Sequence, residues 1–314
     1  MRRLTALVAA ALILASCGGS AAVTDPYQII DKSGSASYDA VQVNVGFSTT
    51  VNGTGITIDP SAIQLIVDKT AGKGEFKLAL PVASLGADAS SLAQLGITNG
   101  NLDLDVVWDG QALYANGPVL TTALTLLMTQ AGTTPGDLSG WLRLGTKADF
   151  EALVGELGAL GGGSIPSMAP LASHDAASIK KALEEAGITV TYVGAEKKGG
   201  KDASHLAVAF DMAKLQASDA FKQLSSAQAQ QLETAMQQAT VAADVWVDSS
   251  SYRLVEMDLH VTPKDGSAKA DVTILVSQPS DTSGLTAPAT YTDVPMSQLL
   301  STLLKSFGQG LIPQ

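Results

Sequence analysis

Apolar residues recur at every second position in short segments separated by turn dipeptides, and this restricts the chain to a sheet-rich fold. Val41, Val43, Val45 and Phe47 share one face of residues 40–50, and Asn52-Gly53 marks a turn. Ile63, Leu65 and Val67 alternate next, and Phe76, Leu78 and Leu80 answer them across Gly72 and Gly74. A second hairpin runs through Leu102, Leu104, Val106 and Trp108, turns at Asp109-Gly110 and returns through Leu113 and Tyr114. Residues 141–144 read as a further short strand. In the second half, residues 188–193, 207–210, 241–247, 252–261 and 268–276 repeat the pattern, with turns at Asp248-Ser249 and Asp265-Gly266. Short polar turns of this kind favour an antiparallel meander.

Helical periodicity is interposed. Leu120, Ala123, Leu124 and Leu127 follow helical spacing, as do Phe150, Leu153, Val154 and Leu157. Asp175 would cap a helix carrying Ile179, Ala182, Leu183 and Ala186, stopped by Gly187. Ser225 with Gln228 forms a capping box ahead of Leu232 and Met236, and Asp293 would cap a last helix near residues 294–307. The expected class is α+β: a large antiparallel sheet of about 11 strands packed over several α-helices, which curls because twist accumulates across so many strands.

The N-terminus adds a different constraint. Arg2 and Arg3 precede an apolar run over residues 4–14, and Leu14-Ala15-Ser16-Cys17 follows. That is the layout of a secretory signal peptide, and the run falls short of the roughly 20 apolar residues of a membrane span. Leu14 to Cys17 resembles the lipobox of bacterial lipoproteins. The resemblance implies a diacylglyceryl group on the Cys17 thiol, cleavage before Cys17 and a protein held at a membrane by acyl chains. Residues 1–16 are thus expected to be the signal peptide, 17–24 a flexible tether, and 25–314 a single domain. Cys17 is the sole cysteine, so the domain has no disulfide and must be held by its core.

Charge narrows the partners. The net charge is −11, and removal of Arg2 and Arg3 takes it to −13. Nucleic-acid phosphates repel such a protein, and it lacks a polybasic patch for anionic headgroups. Hydrophobic residues make up 46% of the chain and charged ones 16%, as in a globular domain.

The residues offer little for catalysis or metal binding. His174, His205 and His260 are the only histidines, and none has HxH or HExxH spacing or a cysteine partner. His205 and His260 are expected near strand ends, and no GxSxG elbow is present. Gly161-Gly162-Gly163-Ser164 lacks the lysine of a phosphate-binding loop. Asp248 suits a hairpin turn, Glu184 and Glu185 suit the solvated side of a helix, and Asp103 and Asp105 alternate on a strand without the glutamate of a calcium loop. No cofactor, no metal and no enzymatic activity are expected.

Residues 241–248, with Tyr252-Arg253-Leu254-Val255 and the strand at 270–276, resemble the C-terminal strands of the LppX/LprAFG-type lipoproteins, which share a half-barrel fold with LolA and LolB. The stretch around Trp246 carries the similarity best, and the lipobox at Cys17 fits the same family. The resemblance implies a cavity between curved sheet and helices that holds a lipid, a glycolipid or a lipidated molecule and moves it along or across the cell envelope. It also implies an extracytoplasmic position, a membrane contact through the acylated N-terminus, and an envelope transporter or acceptor protein as partner. The chain departs from the family in its extra segment at 296–307 and its extended loops at 84–96 and 161–171. The residues expected to line the cavity are Leu120, Leu124, Leu127, Phe150, Val154, Leu157, Ile179 and Leu183. Two other readings stand beside this one. A non-catalytic envelope adaptor or sensor would have a filled core and an exposed apolar patch. A hydrolase would need serine, histidine and carboxylate within hydrogen-bond reach.

Overall fold

The structure is a computed structural model. It describes residues 23–36, 38–51, 54–82, 100–130, 134, 136–146, 148–149, 175–217, 239–266 and 268–294. Cys17, His174, Phe150, Val154 and Leu157 lie outside the described residues, as do the helices expected at 150–157 and 225–239 and nearly all of the one expected at 294–307.

Helix α1 (Pro26–Ser35) opens the domain. The first half of the chain then forms β1 (Ala40–Val51), β2 (Thr54–Ile58), β3 (Ile63–Asp68), β4 (Lys73–Pro81), β5 (Asn101–Trp108), β6 (Ala112–Asn116), α2 (Pro118–Gln130) and β7 (Leu142–Thr146). The second half forms α3 (Ala176–Glu185), β8 (Ile188–Lys198), β9 (Lys201–Phe210), a short α4 (Met212–Ala217), β10 (Ala239–Asp248), β11 (Leu254–Pro263), β12 (Ala268–Ser277) and β13 (Thr292–Asp293).

All the described strands join one 13-stranded sheet in the order β13-β7-β6-β5-β4-β3-β1-β12-β11-β10-β9-β8, with β2 paired to β1. Every pairing is antiparallel except β13 with β7. The sheet is open, with β8 and β13 at its edges. This is the expected α+β architecture, a large open antiparallel sheet with helices against it. It has thirteen described strands where about eleven were expected: β2 is a five-residue piece whose alternation is limited to Ile56 and Ile58, and β13 is two residues long.

Strand β1 is the axis of this topology. On one side it pairs along its length with β12, from Gln42–Ser277 to Val51–Ala268. On the other side its first half pairs with β3 and its second half with β2. The switch between them is a 3-10 turn at Pro60–Ala62, capped by Asp59. Gly46 makes room for that turn: a Cβ there would lie 2.7 Å from Pro60 Cγ and 2.9 Å from its Cδ.

Local chemistry explains the helices. Asp25 accepts from the Tyr27 and Gln28 amides, and Pro26 stands at the first helical position, so α1 starts where its free amides are satisfied. The sequence reading placed no helix here. Asp175 caps α3 in the expected way, and the Ser178 amide holds its carboxyl below the usual range. Lys180–Glu184 and Lys181–Glu185 pair along the solvated side of that helix. Helix α2 leaves β6 through Gly117, where a Cβ would sit 2.4 Å from the Asp103 carbonyl oxygen.

The Gly117 contact is against backbone, so the strain has no side chain to absorb it. Gly117→Ala is expected to destabilise the domain by about 1–3 kcal/mol, measured by urea denaturation. An unchanged midpoint would show that β5 and α2 separate without cost.

Candidate functional site

The strand registers divide the sheet into two chemically distinct faces. One row of paired residues runs Tyr192, Leu206, Val245, Met257, Ile274 and Val45 from β8 to β1. A second continues Val43, Leu65, Phe76, Val106, Ala115 and Leu142 from β1 to β7. Neighbours at i±2, such as Leu78 opposite Leu104 and Leu259 opposite Val272, extend the same face. One surface of the sheet is therefore apolar from β8 to β7.

Among the described residues, helix packing on this face is concentrated at its two ends. At the β8 end, α1 and α3 pack on each other and on β8, closing a cluster of Tyr27, Ile29, Ile179, Val190, Leu206 and Val247. At the β7 end, α2 packs on β5 and β6, and Leu124, Met128, Leu138, Leu142 and Val294 form a second cluster. Between the ends, Val45, Val67, Phe76, Leu78, Leu104, Leu259 and Ile274 are half-buried, and Leu65 is 41% exposed.

The residues expected to line a cavity fall into these two ends. Ile179, 2% exposed, and Leu183 belong to the α1–α3 cluster. Leu124, also 2% exposed, and Leu120 belong to the α2 cluster, and Leu127 is half-buried on α2. The described residues bring each set together but do not join the two sets. Phe150, Val154 and Leu157 lie outside the described residues. The half-buried strand residues between the ends were not singled out from sequence. Their signal was present as period-two alternation, but strand order is needed to show that they form one surface.

The opposite face is polar and organised around two histidines. His205 and His260 are mid-strand in β9 and β11, not near strand ends as expected, because both strands extend further than their apolar alternation. Asp244 of β10 stands between them, with Oδ1 2.7 Å from His205 Nε2 and Oδ2 3.2 Å from His260 Nε2. His260 Nδ1 is 2.7 Å from Asp271, and His205 Nδ1 is 3.2 Å from Glu196. Both nitrogens of each ring therefore face carboxylates, so neither nitrogen is open to a substrate. Trp246 stacks on His205, donates its indole N–H to Glu196 and carries Lys198 over its ring. Lys198 also pairs with Glu256, and Lys269 with Asp271. This is a cross-strand charge ladder that solvates the face.

Asp248, Asp103 and Asp105 sit as expected. Asp248 accepts from the Ser250 and Ser251 amides and fixes the β10–β11 turn. Asp103 and Asp105 alternate on β5, and burial raises the Asp105 carboxyl. Asp293, expected as a helix cap, lies in β13 and pairs with Arg143. A separate cleft of about 450 Å³ on the polar face is lined by Gln111, Tyr114, Arg143 and Thr146. Among the described residues, no group of three or more histidine, cysteine, aspartate or glutamate side chains is placed to hold a metal ion.

No family model matches the sequence, and no curated protein matches it. Solved structures do. The lipoprotein LppX of Mycobacterium tuberculosis is 12% identical, over 81% of this chain and 95% of that one, with a TM-score of 0.34. LprF from Mycobacterium bovis is 11% identical, over 84% and 97%, with a TM-score of 0.38. A LolA superfamily protein from Nitrosomonas europaea is 12% identical, over 85% and 99%, with a TM-score of 0.22.

The hydrogen bond to Asp271 raises the His260 pKa above its ordinary 6.5, burial opposes this, and Asp244 adds to the rise. The folded pKa exceeds the unfolded one, so the stabilisation is complete below about pH 6.5 and is lost as pH rises through the folded value. The thermal midpoint is expected to fall as pH is raised from about 6 to about 8, and His260→Gln should lack that component. Identical pH profiles for the two proteins would show that the ladder contributes nothing.

Proposed function

We propose that this chain is a membrane-anchored lipoprotein that holds the acyl chains of a lipid or lipidated molecule against the apolar face of its sheet. The carrying observation is the extent of that face and its cover among the described residues: the described helices pack at the two ends, and the strand residues between them are half-buried. Aliphatic side chains without charge suit methylene chains, each buried methylene contributing about 0.8 kcal/mol. A chain of a dozen methylenes would gain roughly 10 kcal/mol before ordering costs. Leu120, Leu124, Leu127, Ile179 and Leu183 would close the ends of this site, and Leu65, Phe76, Leu78, Leu104 and Ile274 would form its floor.

The lipobox at Leu14 to Cys17 supports attachment through acylated Cys17 on the extracytoplasmic side of a membrane. A carrier so tethered exchanges its cargo with an acceptor or transporter of the envelope. The commitment of the two described histidine rings, His205 and His260, to carboxylates supports binding over catalysis as the work of this fold.

Native mass spectrometry of the purified protein is expected to show lipid near one-to-one. Leu78→Glu and Ile274→Glu should each lose that lipid, while Gln64→Glu on the opposite face retains it. Lipid-free wild-type protein, or lipid retained by both floor variants with unchanged thermal unfolding, would refute the site. Intact mass spectrometry is expected to show the diacylglyceryl group on the wild-type protein and none on Cys17→Ser; wild-type protein without that mass would refute the anchor.

A further inference from the structure

Helix α2 has a second apolar side that the sheet does not use. Leu120, Leu124 and Met128 face the cluster at the β7 end. Ala123, Thr125, Leu126 and Thr129 are exposed, Leu126 at 59%. Every other described helix carries lysine or acidic residues. By contrast, the sequence from Gly110 to Gly136, which contains α2, has no charged residue in a chain that is 16% charged.

The exposed hydroxyls are satisfied within the helix. Thr125 Oγ1 donates to the Thr121 carbonyl at 2.8 Å, and Thr129 Oγ1 to the Thr125 carbonyl at 2.7 Å. A hydroxyl bonded to the carbonyl four residues back needs no water, which is how threonine is accommodated on helices in hydrocarbon. The exposed residues of α2 therefore carry no charge, and the hydroxyls of Thr125 and Thr129 already have partners.

The anchor keeps this surface near hydrocarbon. Six residue steps separate Cys17 from Val23, a reach of at most about 20 Å, so an anchor at Cys17 holds the domain at the membrane surface.

We propose that the exposed side of α2 is a membrane-contact surface, seated through Leu126 in the interfacial layer of the bilayer to which Cys17 is anchored. A helix of 13 residues is too short to span, so it lies along the interface. With a net charge of −13 after loss of Arg2 and Arg3, the rest of the surface is repelled by anionic headgroups, and the uncharged α2 side is the approach with least repulsion. Contact is apolar and independent of salt. The inference rests on the anchored-lipoprotein reading for its tether, and not on an occupied lipid site.

The test uses the acylated full-length protein in phosphatidylcholine vesicles. Acylation converts the Cys17 sulfur to a thioether, so Leu126→Cys supplies the sole reactive thiol for a nitroxide. The nitroxide is expected to be reached several-fold more readily by oxygen than by an aqueous nickel chelate, at low and high salt alike, while one at Asp202→Cys stays open to the chelate. A Leu126 nitroxide that remains aqueous in protein whose acylation is verified by mass overturns the proposal. Concentration-dependent dipolar broadening between Leu126 labels, the sign of a second copy on this face, overturns it as well. Absence of acylation in the mass spectrum marks failure of the anchor reading instead, and the vesicle partition of the labelled protein then decides the α2 contact by itself.

Discussion

The pairing of β1 with β12 holds the two halves of this protein together. The first meander grows outward from β1 through β3 to β7, and the second returns inward from β8 to β12. Only the β1–β12 seam, from Gln42–Ser277 to Val51–Ala268, turns two half-sheets into one surface. Its partners are far apart in sequence, so loop closure opposes it and extended side-chain contact must outweigh that cost. Val43, Val45 and Phe47 facing Val276, Ile274 and Val272 supply that contact on one side of the sheet.

The same seam makes the apolar face continuous. With it, aliphatic residues run from Tyr192 at one end to Leu142 at the other. Without it, each half would carry a small core closed by its own helices, one by α1 and α3 and the other by α2. The polar face plays the complementary part. Its histidine and carboxylate ladder over β8 to β12 keeps that side wetted, which leaves the apolar side as the surface that seeks cover. A sheet amphipathic in this sense has one side for water and one for hydrocarbon.

Much of this architecture was legible in the residues. Alternation at Val41 to Phe47 and at Leu102 to Trp108, with glycine at the turns, fixed strands and hairpins because a strand repeats over two residues and needs only local order. Helix α3 was legible from Asp175 and Gly187 for the same reason. Helix α1 was not identified, although Asp25-Pro26 ahead of Tyr27 and Ile29 is a start signal; its ten residues are too few for a clear apolar stripe. The placement of site residues was the least legible. Leu124 and Ile179 belong to helices of like pattern, yet strand order sends them to opposite ends of the sheet. His205 and His260 are 55 positions apart, and only the registers of β9, β10 and β11 reveal Asp244 between them. Periodicity reports which face a residue takes, and pairing alone reports its neighbour.

The central claim is that hydrocarbon chains lie on the middle of the apolar face. Methyl-selective NMR of the protein purified with its native lipid tests it most directly, through nuclear Overhauser effects between acyl methylenes and the methyl groups of Ile63, Leu78, Leu104 and Ile274. The account predicts such effects at these floor residues and none at Ile66, which the register places on the polar face. Floor methyls that show effects only to other protein side chains, with no acyl resonance near them, would contradict it.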